Sequence, residues 1–415
     1  MTPSDTAATH WPFWKTIPRF EGAYGLKDLI SSLGGLVDRD PVELECSRNL
    51  FPDVPRYFAR NGRECLYLAL KLLRLPPRSG VGVPLFCCGV VFEAIVASGH
   101  VPVFLDINPK TYNLDGSSLI GNEDKIHALI VPHMFGYPAD LDHLRSYLNG
   151  KKVPIIEDCA HALFSEYKGR ITGSWTEMSV LSFGLHKPAE AGGGGMLLVN
   201  DPGLAKVAAR ELANLRGESK WGQFRRAFRA WRCNATYQRL TYGAALASPL
   251  SHFIDRNHAA SGGLKTDIAH LRWSPTGISA MNQVLVDRKV REFQEKMPLL
   301  ARNTQKLRTA VSETPLEIPD EPSYGKWNHF WIPVKYATAT QCRSGRQFLR
   351  SRRLDVSLIW PYCVQIGRRF GYQGGCGRSE EAAQTVCRIP HYAWLSDYEI
   401  EYVGQSLRQS LGEKI

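Results

Sequence analysis

The chain has 415 residues, of which 44% are hydrophobic and 22% charged, and its formal net charge is +11. This length is sufficient for two or three lobes around a large buried core. Its apolar runs, such as HALIVPHMF, exclude a transmembrane helix, since such a helix takes roughly 20 apolar residues. The positive charge favours anionic partners: nucleotide-linked substrates, acidic membranes or nucleic acid.

The N-terminal segment and the cysteines indicate the compartment. MTPSDTAATHWPFWK lacks the basic and apolar stretches of a secretory signal, so we expect a cytoplasmic protein. The ten cysteines form no CxxC pair and no cluster with zinc spacing, so we expect no metal site. Several lie in apolar stretches, namely Cys65, Cys87, Cys88 and Cys159. We interpret them as reduced thiols in the core.

The predicted elements alternate between helices and strands up to about residue 200. Residues 1–55 show little periodicity and are predicted to form an N-terminal arm with a short helix. After Asn61 and Gly62, GRECLYLALKLLRL has helical spacing and an N-terminus suited to an anion. Predicted strands follow in VGVPLF, VPVFLDI, HALIVPHMF and VPIIEDCA. Strands that are apolar on both faces and separated by helices indicate an α/β fold with a mainly parallel, covered sheet.

A basic and aromatic insertion is predicted over residues 215–270, which carry no strand signal. On a helix, residues 220–232 place four aromatic side chains on one narrow face and arginines beside or opposite it. The aromatic residues are Trp221, Phe224, Phe228 and Trp231. The ordinary interpretation is that they pack on the protein's own body. The alternative is contact with an anionic membrane surface or a lipid-linked substrate.

The remainder of the chain predicts a smaller lobe. A long helix is expected from about Ser279 to Val311. WNHFWIPVKY and LDVSLIW are typical of strands, SGRQFLRSRR is typical of a helix, and a terminal helix begins at Ser396. We therefore predict an N-terminal arm (1–55), a large domain with the insertion (56–275), and a linking helix with a small C-terminal α+β domain (276–415).

The candidate chemistry lies where ligands bind in parallel sheets, at the carboxyl ends of the strands. Asp158, His133 and the loop that carries Lys187 all fall at such ends. Alone, Asp158 would be a helix cap and Lys187 a solvated charge. Together with the glycine run after Lys187, they are the parts that a pyridoxal 5'-phosphate (PLP) enzyme needs. Asp158 would keep the ring nitrogen protonated, while Gly62, Ser182 and a helix N-terminus would bind the phosphate.

These motifs resemble the DegT/DnrJ/EryC1/StrS family of fold-type I, PLP-dependent sugar aminotransferases. The resemblance covers residues 55–200 well and the C-terminal lobe weakly. It is carried by NGRECLYLAL, VPLFCCGVVFEAIVASGHVPVFLDINPKTYNLD, HMFGYPADLD, IIEDCAHALFSEYKGRITGS, LSFGLHKPAEAGGGGMLLVND and RIPHYAWLSDYEIEYV. It implies a mainly parallel seven-stranded-type sheet, a smaller C-terminal domain, and a homodimer with shared active sites. It also implies amino transfer, with glutamate as donor, to a nucleotide-linked or lipid-linked keto sugar for polysaccharide, lipopolysaccharide or glycoside synthesis.

By position, the resemblance makes Lys187 the lysine that holds the cofactor, Asp158 the partner of its ring nitrogen and Ser182 a phosphate ligand. His161 stands where the family has Gln or His beside the ring, where it either contacts the ring or only fills space.

This chain departs from the family at four places. Arg63 replaces a frequent threonine and is either a phosphate ligand or a surface charge. Cys88 replaces an aromatic residue that stacks on the cofactor; either Cys88 provides soft packing instead of stacking, or Phe86 or Phe92 takes that place. Ile359, Trp360 and Pro361 replace a polar substrate segment, and HLRWSPTGIS lacks the usual asparagine.

Other functions stay open at this stage. Sugar dehydratases of similar sequence have histidine in place of the lysine, which Lys187 argues against, although His186 is adjacent. Transamination of a non-sugar carbonyl in secondary metabolism remains open, as does a non-catalytic PLP-binding regulator recruited to membrane. We expect no nucleic-acid binding, because no recognised motif accompanies the basic residues.

Overall fold

The computed structural model describes residues 16–34, 44–148, 150–213, 215–237, 242, 271 and 273–412. The beginning of the predicted N-terminal arm and most of the predicted insertion after residue 237 lie outside these ranges. Among the described helices, none combines the length and apolarity needed to cross a membrane.

A seven-stranded sheet forms the centre of the fold, in the order β1-β9-β8-β5-β4-β2-β3. Its strands are β1 (Arg56–Ala59), β2 (Gly80–Pro84), β3 (Val101–Leu105), β4 (Ala128–Pro132), β5 (Ile155–Asp158), β8 (Met178–Ser182) and β9 (Gly195–Val199). Neighbours from β3 to β8 pair in parallel, whereas β9 is antiparallel to both β8 and β1. The predicted α/β fold with a mainly parallel sheet is therefore confirmed.

Seven helices precede, separate or follow these strands in the described part of the first half of the chain. They are α1 (Leu26–Gly34), α2 (Glu45–Leu50), α3 (Gly62–Leu72), α4 (Val90–Ala97), α5 (Leu141–Ser146), α6 (Pro202–Glu211) and α7 (Lys220–Thr236). α3 begins where Asn61 accepts a hydrogen bond from the Glu64 N–H, which is a standard N-cap. α3 and α4 pack against the sheet in the largest apolar cluster, to which Leu66, Leu70 and Ile95 belong. Parallel strands become buried in this way because crossover helices cover the sheet.

The C-terminal part contains a long helix and small antiparallel sheets. α8 (Ala280–Val311) is capped by the Ser279 side chain, as the sequence predicts. The remaining helices are α9 (Ala339–Ser351), α10 (Cys363–Arg369), α11 (Gly377–Thr385) and α12 (Asp397–Gln409). One sheet has the order β11-β13-β12, with strands Pro333–Lys335, Val386–Arg388 and Ser357–Leu358. Another has the order β10-β6-β7, with strands Gly325–Lys326, Glu166–Tyr167 and Arg170–Ile171. The domain boundaries stay a prediction.

The ordinary interpretation of the basic helix holds for Trp231, which packs against a core cluster, but not for Trp221 and Phe228. The side of α7 that packs on the protein consists of small and polar residues, namely Gln223, Ala227, Ala230 and Asn234. The aromatic side chains form a stacked row along a different side, and Trp221 is 65% and Phe228 41% exposed. Small residues allow α7 to approach the glycine run closely, since an added Cβ on Gly192 would lie 3.1 Å from Ala230 Cβ. Close packing on this side turns Trp221 and Phe228 towards solvent.

Candidate active site

A cavity of about 300 Å³ opens at the carboxyl ends of the parallel strands. Asp158 ends β5, and the loop after β8 brings Lys187 to the same place. Cys88 and His161, from the loops that follow β2 and β5, also line the cavity. The structure thus brings together four of the residues that the sequence singled out.

A buried histidine holds the lysine. Lys187 Nζ lies 2.9 Å from His161 Nε2. Burial lowers the pKa of His161 well below its ordinary value, and the charge of Lys187 lowers it further. His161 is therefore neutral at physiological pH, and its Nε2 can accept a hydrogen bond from the ammonium. Burial also lowers the pKa of Lys187, which favours the free amine that a base or nucleophile requires.

Asp158 provides the carboxylate of the cavity. Its Oδ1 accepts a hydrogen bond of 3.0 Å from the Ala160 N–H. Burial raises the pKa of Asp158, while the positive charge of Lys187 opposes that rise. The carboxylate and the lysine therefore favour each other's charged form across the cavity.

A close approach between α3 and β8 forms a candidate anion site. An added Cβ on Gly62 would lie 2.9 Å from Ser182 Cβ and 3.1 Å from Ser182 Oγ, so a larger residue would displace the serine. The N-terminus of α3 and a serine hydroxyl are hydrogen-bond donors for a phosphate. Arg63 is exposed, and its Nη1 lies 3.7 Å from Glu93 Oε2. Its side chain therefore points to Glu93, and only its backbone N–H belongs to this helix terminus.

The aromatic wall of the cavity comes from an unexpected residue. Phe86 and Phe92 are fully buried in the core and do not line the cavity, so neither replaces the missing aromatic ring beside Cys88. Trp360 lines the cavity instead. Its ring is parallel to that of His161, with centroids 6.1 Å apart. Trp360 lies in the segment 359–361, for which the sequence predicts the loss of a polar substrate contact. It supplies an apolar wall instead.

Sequence reasoning also missed the contacts that hold the lysine loop. Glu190, three residues after Lys187, accepts hydrogen bonds from the His186 N–H at 2.8 Å and from Asn234 of α7 at 2.5 Å. Burial raises the pKa of Glu190 to about 7. Phe20 of the N-terminal arm stacks on His186 at 3.5 Å. The arm and the basic helix therefore both position the lysine, and the only sequence signal was an acidic residue within the glycine-rich loop.

A second carboxylate lies beneath the cavity. Glu157 is fully buried and accepts hydrogen bonds from His133 Nε2 and the Gly173, Trp175 and Thr176 N–H groups at 2.7 to 3.1 Å. His133 Nδ1 accepts from the Ala139 N–H, so the proton of this ring is on Nε2. Although Cys159 is close enough for a metal cluster with these two, their lone pairs are already used. The network is a structural support for the end of β5.

Replacing Glu157 with glutamine is expected to lower the free energy of unfolding by about 3 kcal/mol, because an amide NH₂ would face buried N–H donors. Urea unfolding at neutral pH measures this, with the exposed Glu295→Gln as control. Burial alone would raise the pKa of Glu157, but the hydrogen bonds from His133 and the backbone hold it below its ordinary 4.5. The native stabilisation is therefore complete above pH 4.5 and is lost as the pH falls further. Equal stability of the two variants would contradict this role.

The sequence was compared with known protein families, and the matching segment contains most of the residues that line this cavity. Residues 59–245 match the profile of the DegT/DnrJ/EryC1/StrS aminotransferase family. That match spans less than half of the chain, and over it the chain is similar to this aminotransferase family. The segment contains Asp158, His161, Ser182 and Lys187, whereas the C-terminal sheet lies beyond it.

Curated relatives match over parts of the chain. GDP-perosamine synthase of Escherichia coli O157:H7 is 33% identical over 144 residues, which are 34% of this chain and 39% of that protein. UDP-N-acetyl-3-dehydro-alpha-D-glucosamine 3-aminotransferase of Acidithiobacillus ferrooxidans is 32% identical over 166 residues, 39% of this chain and 43% of that protein. The chain thus spans less than half the length of these relatives.

Solved structures share the fold over nearly the full length. Aminotransferase TlmJ from Streptoalloteichus hindustanus has a TM-score of 0.74 at 21% identity, covering 95% of this chain and 99% of that one. Sugar aminotransferase CalS13 from Micromonospora echinospora has a TM-score of 0.68 at 18% identity, covering 95% and 99%. The fold therefore extends through the C-terminal part, where sequence similarity is low.

Proposed function

We propose that this chain is a PLP-dependent aminotransferase that moves an amino group from an amino acid, glutamate, to a nucleotide-linked keto sugar. The observation that carries the proposal is the cavity in which Lys187 Nζ lies 2.9 Å from a neutral histidine, with Asp158 on the same wall. The names of two relatives support the sugar substrate. One is a GDP-perosamine synthase, and the other is a 3-aminotransferase that acts on a UDP-linked sugar. The product would serve polysaccharide, lipopolysaccharide or glycoside synthesis.

The residues of the cavity fit PLP. Gly62 leaves no space for a side chain beside Ser182, so the helix N-terminus and the hydroxyl can both reach a phosphate. Asp158 would hold a proton on the ring nitrogen, and Lys187 would hold the cofactor covalently in the resting enzyme. When bound, PLP supplies an electron sink for the carbon that bears the amino group. Cys88 and Trp360 would bound the ring with polarisable and apolar surface.

Lys187 also has the properties of a proton carrier. Its pKa is lowered by burial, so its free amine can take a proton from the substrate carbon that bears nitrogen and later return one. His161 orients this amine through the 2.9 Å contact. The presence of Lys187 disfavours the dehydratase alternative, in which histidine takes the place of the lysine.

The visible absorption spectrum of the PLP-loaded protein tests the proposal. We expect a band of lysine-bound cofactor that disappears on addition of glutamate and returns on addition of a nucleotide-linked keto sugar. Return of the band only with a non-sugar ketone would favour secondary metabolism. A band that no amino donor changes would contradict an aminotransferase and favour a regulatory PLP-binding protein.

We further propose a cytoplasmic homodimer with shared active sites that contacts anionic membrane through residues 220–232. Two exposed rings of α7, Trp221 and Phe228, support this contact, as do its exposed arginines, namely Arg225, Arg229 and Arg232. Aromatic rings can enter the lipid interface while arginines remain near the headgroups.

Replacing both Trp221 and Phe228 with serine is expected to reduce binding to vesicles of phosphatidylcholine and phosphatidylglycerol by about tenfold or more. Co-sedimentation at low and high salt measures this, and Trp394→Ser, which changes another exposed tryptophan, is the control. Unchanged vesicle binding would contradict the contact. Dissociation of the oligomer in the double variant would assign the aromatic row to the subunit interface instead.

A further inference from the structure

Two buried cysteines touch each other in the C-terminal part of the chain. Cys342, near the start of α9, and Cys387, in the middle of β13, are fully buried in the same apolar cluster. Their sulfur atoms lie 3.2 Å apart, and both thiols are free. A disulfide bond is about 2.05 Å long, so the sulfurs need to approach by only about 1 Å to form one. The two residues are 45 positions apart in sequence, so the contact is a product of the tertiary structure.

Close packing of α9 on the C-terminal sheet brings the two thiols together. An added Cβ on Gly345 would lie 2.6 Å from the ring of Tyr336, so the helix approaches the sheet at a position that has no side chain. Tyr336 is itself fixed, because its hydroxyl forms a hydrogen bond of 2.8 Å with that of Ser410 and its N–H donates to the Thr385 carbonyl at 3.1 Å. The helix and the strand are therefore held with their sulfurs in contact.

A cation beside Cys342 favours its reactive form. Arg346 follows four residues later, one turn further along the same side of α9. Its Nε is inaccessible to solvent and has no hydrogen-bond partner within the described residues. The hydrogen bond with Cys387 lowers the pKa of Cys342; burial opposes this change, and the charge of Arg346 reinforces it. A thiolate is the form of cysteine that reacts with oxidants.

This environment distinguishes Cys342 from the other buried cysteines. Burial raises the pKa of all of these, namely Cys65, Cys87, Cys159, Cys363, Cys376 and Cys387. Cys342 is also close to the surface, since the neighbouring Gln341 and Arg343 are exposed. Local opening near a helix end takes much less free energy than global unfolding, and it is sufficient to admit an oxidant as small as hydrogen peroxide.

The cysteine pair lies on the side of the C-terminal sheet that faces away from the candidate active site. Successive side chains of a strand point to opposite faces. Cys387 points to α9, whereas the next residue, Arg388, has its guanidinium carbon 3.6 Å from the ring centroid of Trp331 and 3.9 Å from that of Phe20. A bond at Cys387 would therefore join α9 to this strand without entering the cavity of Lys187.

We propose that Cys342 and Cys387 form a reversible disulfide when the folded protein meets a peroxide. The Cys342 thiolate attacks one oxygen of hydrogen peroxide, so that an S–O bond forms, the O–O bond breaks, and hydroxide leaves and takes up a proton as water. The Cys387 sulfur then attacks the sulfenic acid, an S–S bond forms, the S–O bond breaks, and the thiol proton leaves with hydroxide as a second water. Two thiols lose two electrons, which reduce one peroxide. A thiol reductant reverses the reaction.

Mass spectrometry after treatment of the whole folded chain with hydrogen peroxide tests this. The remaining thiols are alkylated before the protein is unfolded and digested with trypsin without reductant. We expect the peptide 336–343 to be linked to the peptide 379–388, and dithiothreitol to release both. The linked pair should form about tenfold or more faster in the folded protein than in urea, because the fold holds the two sulfurs together.

Matched variants assign the reaction to these residues. Cys342→Ser should abolish the linked pair, whereas Cys233→Ser, at a partly exposed position of α7, should leave it unchanged. Arg346→Gln should slow its formation by about tenfold, because the thiolate loses the neighbouring cation. Arg343→Gln, at an exposed position of the same helix, should keep the wild-type rate, with 336–346 as the linked peptide.

Several results would overturn the inference. They are a folded wild-type protein that gives no linked pair, a linked pair that forms only in urea, and a Cys342 that accumulates as sulfinic acid while Cys387 stays reduced. Equal rates in wild type and Arg346→Gln would overturn the part assigned to the cation. The measurement uses no amino donor and no acceptor, so its outcome is independent of whether the chain transfers amino groups.

Discussion

Replacing Lys187 with alanine is expected to lower amino transfer by about 10³- to 10⁴-fold, since the variant loses both the covalent attachment of PLP and the proton carrier. The side chain lies in a cavity beside His161, and among the described residues no other lysine lines that cavity. The visible band of lysine-bound cofactor should be absent, while noncovalent PLP binding through Gly62 and Ser182 should persist at reduced affinity. Single-turnover absorbance with glutamate measures the chemical step directly.

The matched control for this variant is Lys168→Ala. Lys168 is exposed and forms an ion pair with Asp142 away from the cavity, so its removal should leave both the band and the rate unchanged. Turnover by the Lys187 variant within about tenfold of wild type would show that another group carries the proton. His186, the adjacent residue, would then be the first candidate, although the structure stacks it on Phe20.

Replacing Asp158 with asparagine is expected to lower the rate of amino transfer by about 10²- to 10³-fold. Asparagine has the same shape and can keep the hydrogen bond from the Ala160 N–H, so the fold should be retained. It lacks the negative charge that would keep the ring nitrogen of PLP protonated. Burial raises the pKa of Asp158 and the charge of Lys187 opposes that rise, so a cationic ring nitrogen beside the carboxyl would favour its ionised form further.

Measurement of the rate and of PLP affinity separates the two roles of Asp158. We expect a large loss of rate with a smaller loss of affinity, because the phosphate site at Gly62 and Ser182 is untouched. Asp320→Asn, at an exposed position, is the control. A variant that retains full activity would remove Asp158 from the chemistry and return it to a capping role.

Much of the fold could be predicted because it depends on local patterns. Continuous apolar runs identified strands that are buried on both faces, such as Gly80–Pro84 and Ala128–Pro132. Side-chain caps identified helix starts, as at Asn61, Ser279 and Ser396. The amphipathic pattern of α7 correctly predicted a helix, but Trp221 and Phe228 of the expected buried side are exposed. Ala227 and Ala230 allow α7 to pack more closely on the protein than large rings would. A periodicity argument considers the hydrophobicity of each side of a helix but not how closely that side can approach its neighbours.

The candidate site was predicted in part for a similar reason. Asp158, Lys187 and Ser182 follow strands, and strand ends can be located from sequence. The contacts of Glu190, Phe20 and Trp331 could not be predicted, because they depend on how the N-terminal arm, α7 and the C-terminal sheet pack in the folded protein.

The sequence by itself determined the order of strands and helices, the acid and the lysine at strand ends, and through them the chemistry that this chain can perform. Only the tertiary structure decided which side chains surround that lysine and which aromatic residues of α7 face solvent. The physical reason is the separation in sequence over which each kind of interaction acts. Periodicity, caps and turns act over a few residues, whereas burial and pairing depend on groups far apart in sequence, such as Phe20 and Arg388.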